Sequence, residues 1–332
     1  MNKNARINGP KVVVIGGGTG SSVILRGLKK FTSNITAIVT VADDGGGSGK
    51  LREDLGMLPP GDIRSCILAL ADTEPIMEKL LQYRFQEGSL KGQSFGNLFI
   101  AAMNEITGNF EEAVRLTSDV LKVKGTVLPV TLDNICLLAE LENGEFVKGE
   151  SKIPRVALEK GQRIKKISIH PTDAAPLEYA LNALEEADAI ILGPGSLYTS
   201  IIPNLLVEGL SEGISKARAV KIYISNIMTQ PGETDSYSVI DHVNALLEHA
   251  GEFENPLIDY VMVNNGRIPD DLLEKYQRDG ACMVDFNIED YEQHPYKFII
   301  DDFVEAKKNY LRHNADKVAA TIFRLIAQRG FK

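Results

Sequence analysis

The sequence predicts an α/β fold with a mostly parallel sheet and flanking helices. The first observation is the all-apolar run Val12-Val13-Val14-Ile15, which is typical of a strand buried on both faces. The second is the helical apolar spacing over 21–31, followed by another apolar run at 35–41. The third is the return of this alternation after Pro171. Parallel strands need helical crossovers of this kind, so the pattern favours a parallel sheet.

The second half of the chain carries the alternation most clearly. We expect strands at 189–192, 220–225 and 260–264, joined by helices at 175–187, near 203–217 and at 238–249. The final segment begins with Asn314, a good N-cap residue, and carries one apolar stripe. It therefore predicts a closing helix.

The middle of the chain departs from the alternation in two places. Residues 62–124 contain four amphipathic stretches in a row, which predict a helical insertion. Residues 126–152 carry apolar runs on either side of Asn143-Gly144, a strong hairpin signal, and predict a small β-hairpin element. Because no flexible linker separates these parts, residues 1–332 are predicted to form a single domain.

Composition limits the partners and the compartment. The net charge of −9 and the pI of about 5.2 argue against binding to nucleic acid or anionic lipid, since both need a concentrated basic face. No apolar run approaches the roughly 20 residues that span a membrane. The three cysteines, Cys66, Cys136 and Cys282, are widely separated and suit reduced core thiols. We therefore expect a cytoplasmic protein without membrane insertion and without a nucleic-acid partner.

A glycine-rich loop, GGGTG at 16–20, follows the first predicted strand. Such a loop lets backbone N–H groups approach an anion closely, and the next helix adds the positive end of its dipole. The dinucleotide fingerprint G-x-G-x-x-G is not matched, because Ser21 occupies the place of the third glycine. The alternative is a glycine cluster that only packs the strand against the helix. The candidate ligand-binding residues here are Gly17, Gly18, Thr19 and Gly20.

A second glycine-rich segment, at 43–50, follows the next strand and begins with two carboxylates. Asp43 or Asp44 can accept from a ribose hydroxyl or help to hold Mg²⁺ against a phosphate. In an extended segment the two side chains point to opposite sides, so one can face a ligand while the other bonds the following glycine amides. The alternative is that both only form the turn. Lys50 is a candidate cationic contact or a solvated surface charge, and a Walker-type P-loop is rejected because Leu51 replaces its Ser or Thr.

The segment PPGDIR at 59–64 predicts a rigid turn that feeds a helix, with Asp62 as the N-cap. Arg64 lies in the first turn of that helix, where a cation opposes the helix dipole unless an anion or carboxylate lies nearby. We therefore nominate Arg64 as a phosphate-contacting residue.

A third loop of small residues, at 193–200, follows a predicted strand, and Asn226 ends the strand after it. We expect the loops at 16–20, 43–50 and 193–200 to share one cleft, with the polar loop at 226–235 reaching over it, because the carboxyl ends of parallel strands meet at one sheet edge. Ordinary strand-end loops are the alternative. The candidates from this region are Gly193, Gly195, Ser196 and Asn226.

Six segments taken together resemble one family. They are VVVIGGGTG, ITAIVTVADDGGGSGKLRED, PPGDIR, GNL at 96–98, GPGSLYTSIIPNLL and NIMTQPGETDSYS, and they span nearly the whole chain. The pattern resembles the YvcK branch of the CofD-like family, the bacterial gluconeogenesis factors. The long motifs at 35–64 and 193–206 are its most specific part.

The resemblance implies a Rossmann-like fold and a cytoplasmic protein tied to growth on gluconeogenic carbon sources and to cell shape. It also implies binding of a nucleotide sugar such as UDP-N-acetylglucosamine, and it adds Asn97 to the candidate ligand-binding residues. The enzymatic relatives, 2-phospho-L-lactate transferases, bind a guanosine nucleotide and a deazaflavin acceptor with Mg²⁺, using the acidic loop that Asp43 and Asp44 match. Family members often carry His where this chain has Gln93, and a glutamine cannot transfer a proton.

Two functions stay open on the sequence. The first is a regulator that binds a nucleotide sugar and has no established catalytic activity. The second is a Mg²⁺-dependent, CofD-like 2-phospho-L-lactate transferase acting on a nucleoside-diphosphate-linked donor, with Asp43 or Asp44 holding the metal and Arg64 steadying phosphate oxygens. An NAD-linked reductase rests on fold analogy alone. The base of the nucleotide, a homo-oligomer and a regulatory protein partner are left open.

Overall fold

The structure is a computed structural model that describes residues 9–286, 294–307 and 309–329. Within these ranges the strands are β1 (Val12–Gly16), β2 (Ile35–Val39), β3 (Thr126–Pro129), β4 (Cys136–Leu141), β5 (Phe146–Lys148), β6 (Ile164–His170), β7 (Ala189–Leu192), β8 (Val220–Ile224), β9 (Tyr260–Asn264), β10 (Lys297–Asp301), β11 (Val304–Lys307) and β12 (Tyr310–His313). The helices are α1 (Gly18–Leu28), α2 (Gly46–Leu55), α3 (Gly61–Leu70), α4 (Pro75–Gln82), α5 (Phe95–Thr107), α6 (Phe110–Val120), α7 (Ile153–Lys160), α8 (Glu178–Glu185), α9 (Ile202–Leu205), α10 (Leu210–Lys216), α11 (Val239–Ala250), α12 (Asp270–Arg278) and α13 (Ala315–Arg329). A π-helical turn, Leu197–Ile201, leads directly into α9.

In the described part of the chain, seven strands form one parallel sheet in the order β10-β9-β8-β7-β1-β2-β3. The chain runs outward from β1 to β2 and β3, then returns to β7 on the other side of β1. The strand order therefore reverses between β1 and β7, and open α/β sheets bind ligands at such a point. Strands β1, β7 and β8 are buried along their whole length, as the apolar run at the start of the sequence predicts. The predicted Rossmann-like α/β fold is confirmed.

A small antiparallel sheet has the order β5-β4-β6. Its β4–β5 hairpin turns at Asn143-Gly144, as predicted from the sequence. The predicted element begins too early, because residues 126–129 pair with β2 and form the edge of the main sheet. Strand β6 was not predicted, and it pairs with β4 over most of its length. A separate hairpin, β11–β12, lies just before the last helix.

The helical insertion is confirmed by α3, α4, α5 and α6. Two other predictions, the loop at 43–50 and the helix near 203–217, were wrong in part. The segment at 43–50 is a loop only as far as Gly45, because α2 begins at Gly46 and buries Leu51 in the core. The helix expected near 203–217 is interrupted, since α9 ends at Leu205 and Gly209 adopts a left-handed φ of 78° before α10. The prediction of core thiols is confirmed for Cys66, which is buried, whereas Cys136 is half-buried and Cys282 is exposed, so the prediction was wrong for Cys282.

The predicted closing helix is α13. Asn314 caps it, because its Oδ1 accepts from the Lys317 amide at 3.0 Å. Helix α13 packs against α1, and a Cβ added at Gly27 would collide with the carbonyl oxygen of Ala315. No helix in the described ranges combines the length and the apolar character needed to cross a membrane.

The contact between α1 and α13 predicts that Gly27→Ala destabilises the fold. The new methyl group meets rigid backbone, so we expect the free energy of unfolding to fall by about 2 kcal/mol, as measured by chemical denaturation. The matched control is Gly213→Ala in α10, where the nearest atoms are leucine side-chain ends at 3.3 and 3.4 Å. That variant should be neutral or up to about 1 kcal/mol more stable. Similar losses in both variants would contradict the prediction.

Candidate functional site

The loop after β1 leads into a helix terminus without a side-chain cap. Helix α1 begins at Gly18, and no side chain of the described residues caps it from the N-cap position, Gly17. Gly18 has a left-handed φ of 61°, which favours glycine. The amides at a helix N-terminus carry partial positive charge and bind anions. The Gly18 amide donates to the Asp62 carboxyl, and the other amides in the first turn of α1 are backbone donors for an anionic ligand.

The loops that follow β1, β7 and β8 are fastened to one another. Gly20 lies so close to the carbonyl group of Pro194 that a Cβ at residue 20 would collide with it. Asn226 donates from Nδ2 to the Gly195 carbonyl oxygen at 2.9 Å, and its Oδ1 accepts from the Gly195 amide at 3.3 Å. These contacts hold three strand-end loops in one fixed arrangement at the reversal of strand order.

A cavity of about 390 Å³ lies among these loops, and we name it the switch-point cleft. Gln230 Nε2 donates to the Ser196 hydroxyl at 2.7 Å beside it, and strand β12 contributes Arg312 and His313. Among the described residues its lining has no aspartate or glutamate, and Arg312 is its one arginine or lysine. The lining residues are 17–20, Val23, 194–196, Ser200, 226–230, Tyr276 and 311–313. The cleft is therefore suited to an anion.

Buried polar contacts brace the cleft from behind. The Glu233 carboxyl accepts from the Tyr198 amide and from the Thr199 hydroxyl, both at 3.2 Å, in the π-helical turn. Burial raises the pKa of Glu233 to about 7. Burial also lowers the pKa of His313 to about 4, so its neutral ring donates from Nε2 to the Ser225 carbonyl oxygen at 3.1 Å. His313 thus serves as a fixed wall of the cleft and carries no charge at neutral pH.

The structure brings together part of the residue set nominated from the sequence. Gly193 lies just behind the cleft, where a φ of 75° turns the chain after β7. The nominated residues that line the cleft are Gly17, Gly18, Thr19, Gly20, Gly195, Ser196 and Asn226. The nominated residues that do not line it are Asp43, Asp44, Lys50, Arg64 and Asn97.

Sequence reasoning missed four lining residues in the later part of the chain, namely Tyr276, Leu311, Arg312 and His313. They come from α12 and β12, which contain no glycine loop or recognised motif. The available signal was weak: an arginine and a histidine side by side at the end of a short strand late in the chain. Their position depends on β12 reaching the main sheet edge, which no local pattern predicts.

A second group of polar side chains lies on the β2 side of β1. We name it the polar chamber, and its residues are Asp43, Ser48, Asp62, Arg64, Gln93 and Asn97. The Asn97 Nδ2 group donates to the Ser48 hydroxyl at 3.4 Å, and Arg64 donates to the Ser94 hydroxyl at 2.7 Å. Burial and the nearby Arg84 lower the pKa of Arg64. Arg64 is thus held inside the chamber and away from the switch-point cleft.

The carboxylates of Asp43 and Asp44 face different partners. Asp43 Oδ1 accepts from the Gly45 amide at 2.9 Å, as a turn former does, while Asp44 Oδ1 accepts from the Ser151 amide at 2.9 Å. No cluster of three or more His, Cys, Asp or Glu side chains suited to a metal ion occurs in the described ranges. Each carboxylate thus uses one oxygen on a different backbone amide, and Lys50 is an exposed residue.

The prediction that Asp62 caps the helix that follows it, α3, was wrong. Pro60 occupies the N-cap position of α3, and the Asp62 carboxyl instead accepts from the Gly18 amide. Burial, followed by repulsion from Asp43, raises the pKa of Asp62 to about 7. A Cβ at Gly17 would touch this carboxyl, so Asp62 is the side chain between the switch-point cleft and the polar chamber.

A further acid, Glu150, borders the same region from the small sheet. Burial, followed by the charges of Asp43, Glu233 and Asp62, raises the pKa of Glu150 to about 8. The β2 side of the site is therefore rich in acids, in contrast to the lining of the switch-point cleft.

Glu150 should give the fold a measurable pH dependence. Because its pKa rises from 4.5 to about 8 on folding, its contribution to stability is full below pH 4.5 and is lost as the pH rises through about 8. Glu150→Gln should leave the free energy of unfolding nearly unchanged at pH 5 and raise it by about 1–2 kcal/mol at pH 9. Denaturation at both pH values tests this, with Glu178→Gln on the exposed face of α8 as control. An effect of Glu150→Gln that is equal at the two pH values would refute it.

Comparison with known proteins places these features in a family. The family model described as 2-phospho-L-lactate transferase CofD matches residues 12–304. A protein of Thermoanaerobacterium thermosulfurigenes is 57% identical, over 98% of this chain and 100% of its own length. The gluconeogenesis factor of Bacillus subtilis (strain 168) is 49% identical, over 96% of this chain and 99% of its own length.

Solved structures agree with the sequence relatives. The crystal structure of a UPF0052 family member from Bacillus halodurans is 46% identical, with a TM-score of 0.89 over 94% of this chain and 98% of its own. The family model covers most of this chain, and these relatives match it almost from end to end. The chain therefore belongs to the CofD family, together with proteins named gluconeogenesis factors.

Proposed function

We propose that this protein is a gluconeogenesis factor that binds a nucleotide sugar and acts as a regulator. The observation that carries the proposal is the switch-point cleft, where the first turn of α1 and Arg312 belong to a described lining without acids, while Asp62, outside that lining, accepts from the Gly18 amide. A diphosphate carries two or more negative charges and needs such surroundings. The names of the relatives support the physiological part of the proposal.

The diphosphate would lie on the first turn of α1. Thr19 and Ser196 add hydroxyl groups at the two loops, and Gly18 and Gly195 let the backbone approach the ligand. Arg312 lies between the cleft and the neighbouring cavity on the outer face of α1 and lines both, and it supplies the compensating charge. Its guanidinium lies over the Tyr310 ring at 5.3 Å and donates to the Leu311 carbonyl oxygen at 2.9 Å. The close contacts among the loops keep these donors in place before the ligand arrives, which lowers the cost of binding.

The regulatory part of the proposal covers growth on gluconeogenic carbon sources and cell shape, in the cytoplasm. It rests on the likeness to proteins named gluconeogenesis factors. It also rests on the described lining of the cleft, which offers backbone amides, hydroxyl groups and Arg312 for binding and has no carboxylate that could transfer a proton. UDP-N-acetylglucosamine is the nucleotide sugar that we propose as ligand. A regulatory protein partner, and a homo-oligomer, would transmit the state of the cleft.

The transferase alternative receives less support. The match to the CofD family model favours it in general terms. It needs a metal ion on Asp43 or Asp44, and these two carboxylates bond the Gly45 and Ser151 amides separately. We therefore derive no catalytic step through a metal ion for this chain.

The proposal predicts that the protein binds UDP-N-acetylglucosamine and UDP and that Arg312→Gln weakens both. Loss of a charge-assisted contact to phosphate should raise the Kd by roughly 10- to 100-fold. Isothermal titration calorimetry measures this, with Arg324→Gln on the exposed side of α13 as the matched control. The proposal fails if the unaltered protein binds no uridine nucleotide, or if Arg312→Gln binds both ligands as tightly as the unaltered protein does.

A further inference from the structure

The lining of the switch-point cleft has a polar half and an apolar half. The polar half comes from the glycine loops after β1 and β7, at 17–20 and 194–196. The apolar half, which we name the apolar wall, consists of Ile227, Met228, Tyr276 and Leu311. A diphosphate on the first turn of α1 uses the polar half and leaves the apolar wall to another part of the same ligand.

The apolar wall belongs to a hydrophobic cluster of its own. Ile227, Met228 and Leu311 are buried together in a small cluster that is separate from the main core. Tyr276 packs against this cluster from α12 and is half-buried. It is also the one phenylalanine, tyrosine or tryptophan in the described lining. The wall therefore offers the cleft an apolar surface with a single large ring.

Hydrogen bonds hold the parts of the wall together. The Val284 amide, in the segment after α12, donates to the Ile227 carbonyl oxygen at 3.1 Å. The Tyr276 hydroxyl accepts from the Leu311 amide at 3.1 Å and so joins α12 to β12. Because these bonds form within the protein, the wall is in place before a ligand binds, which lowers the cost of binding.

The ring of Tyr276 is open to a stacking partner. In the part of the chain that the structure describes, no aromatic ring and no cation stacks on it. The nearby Tyr310 ring differs, since Lys275 lies over it at 4.2 Å and Arg312 at 5.3 Å. Aromatic side chains bind nucleobases by stacking, because every base has a π face.

The apolar wall suits one of the three parts of a nucleotide sugar. Phosphate groups need cations or amides, and sugar hydroxyls need several hydrogen-bonding partners. The side chains of the wall carry one polar group suited to this, the Tyr276 hydroxyl, and that group already bonds the Leu311 amide. A nucleobase has two faces that need no hydrogen bonds and keeps its polar groups at the ring edge. The base is therefore the part that fits.

We infer that the apolar wall is the subsite for the base of the bound nucleotide, with Tyr276 as the ring on which the base stacks. This inference rests on the proposed function, because it assigns the base end of the same ligand. The cleft has a volume of about 390 Å³, which lies in the range of small-molecule sites, so a base and a diphosphate can share it. Arg312 follows Leu311 in β12, so the wall adjoins the cation that we assign to the diphosphate.

The first test compares ligands with and without a base. Tyr276→Leu should raise the Kd for UDP roughly 10-fold and that for inorganic pyrophosphate less than about 2-fold, measured by isothermal titration calorimetry. Tyr276→Phe keeps the ring and removes the hydroxyl that holds the Leu311 amide. It should bind UDP within about 3-fold of the unaltered protein, because stacking needs only the ring.

The second test detects the stacked base directly. The chain contains no tryptophan, so Tyr276→Trp introduces a single fluorescent indole at the wall. UDP should quench its emission, and pyrophosphate should not. The 5,6-dihydro analogue of UDP has a non-planar base, so it should bind more weakly and quench less. Tyr179→Trp is the control, because Tyr179 is 63% exposed and borders a cavity at the opposite edge of the sheet.

The outcomes separate the two proposals. If the unaltered protein binds neither UDP nor UDP-N-acetylglucosamine, the proposed function fails and the base subsite fails with it. If UDP binds, the subsite alone is overturned when UDP leaves the emission of Tyr276→Trp unchanged, or when Tyr276→Leu weakens pyrophosphate as much as UDP. An equal loss in Tyr276→Phe and Tyr276→Leu would also overturn it, since the hydroxyl would then act by holding β12. The fluorescence result decides alone if pyrophosphate binds too weakly to measure.

Discussion

The contact between the loops after β1 and β7 is the constraint on which the site depends. Gly20 meets the Pro194 carbonyl group without room for a side chain, and Asn226 ties the second loop to the end of β8 through two hydrogen bonds. The strand order reverses at this point. In open α/β sheets the carboxyl ends of the strands on either side of such a reversal leave a crevice between their loops. The fastened loops turn that opening into a cleft whose donors are positioned before a ligand binds.

The distribution of acids divides the site into two parts with different chemistry. The switch-point cleft has Arg312 and no carboxylate in its described lining, whereas Asp43, Asp62 and Glu150 gather on the β2 side. Burial and mutual repulsion raise the pKa of Asp62 to about 7 and that of Glu150 to about 8, so both hold protons part of the time at neutral pH. One part is therefore suited to charged phosphate oxygens, and the acids of the other part disfavour them.

The sequence predicted what is encoded locally. The buried run at Val12–Gly16, the glycine loop after it and the Asn143-Gly144 hairpin each depend on neighbouring residues, and all three lie where they were expected. Tertiary packing decided the remainder. Burial of Leu51 draws a glycine-rich segment into α2, and the Gly18 amide takes Asp62 away from the capping role that its position suggested. Arg312 reaches the cleft only because β12 folds back beside α1, a long-range contact that no spacing in the sequence encodes.

A crystal structure of the protein with UDP bound is the most direct test of the anion site. The two phosphate groups should lie within hydrogen-bonding distance of the amides in the first turn of α1 and of the loop that contains Gly195 and Ser196, with Arg312 beside them. The claim would be contradicted if the diphosphate lay outside the cleft, for example against Lys29 and Lys30 in the neighbouring cavity on the outer face of α1.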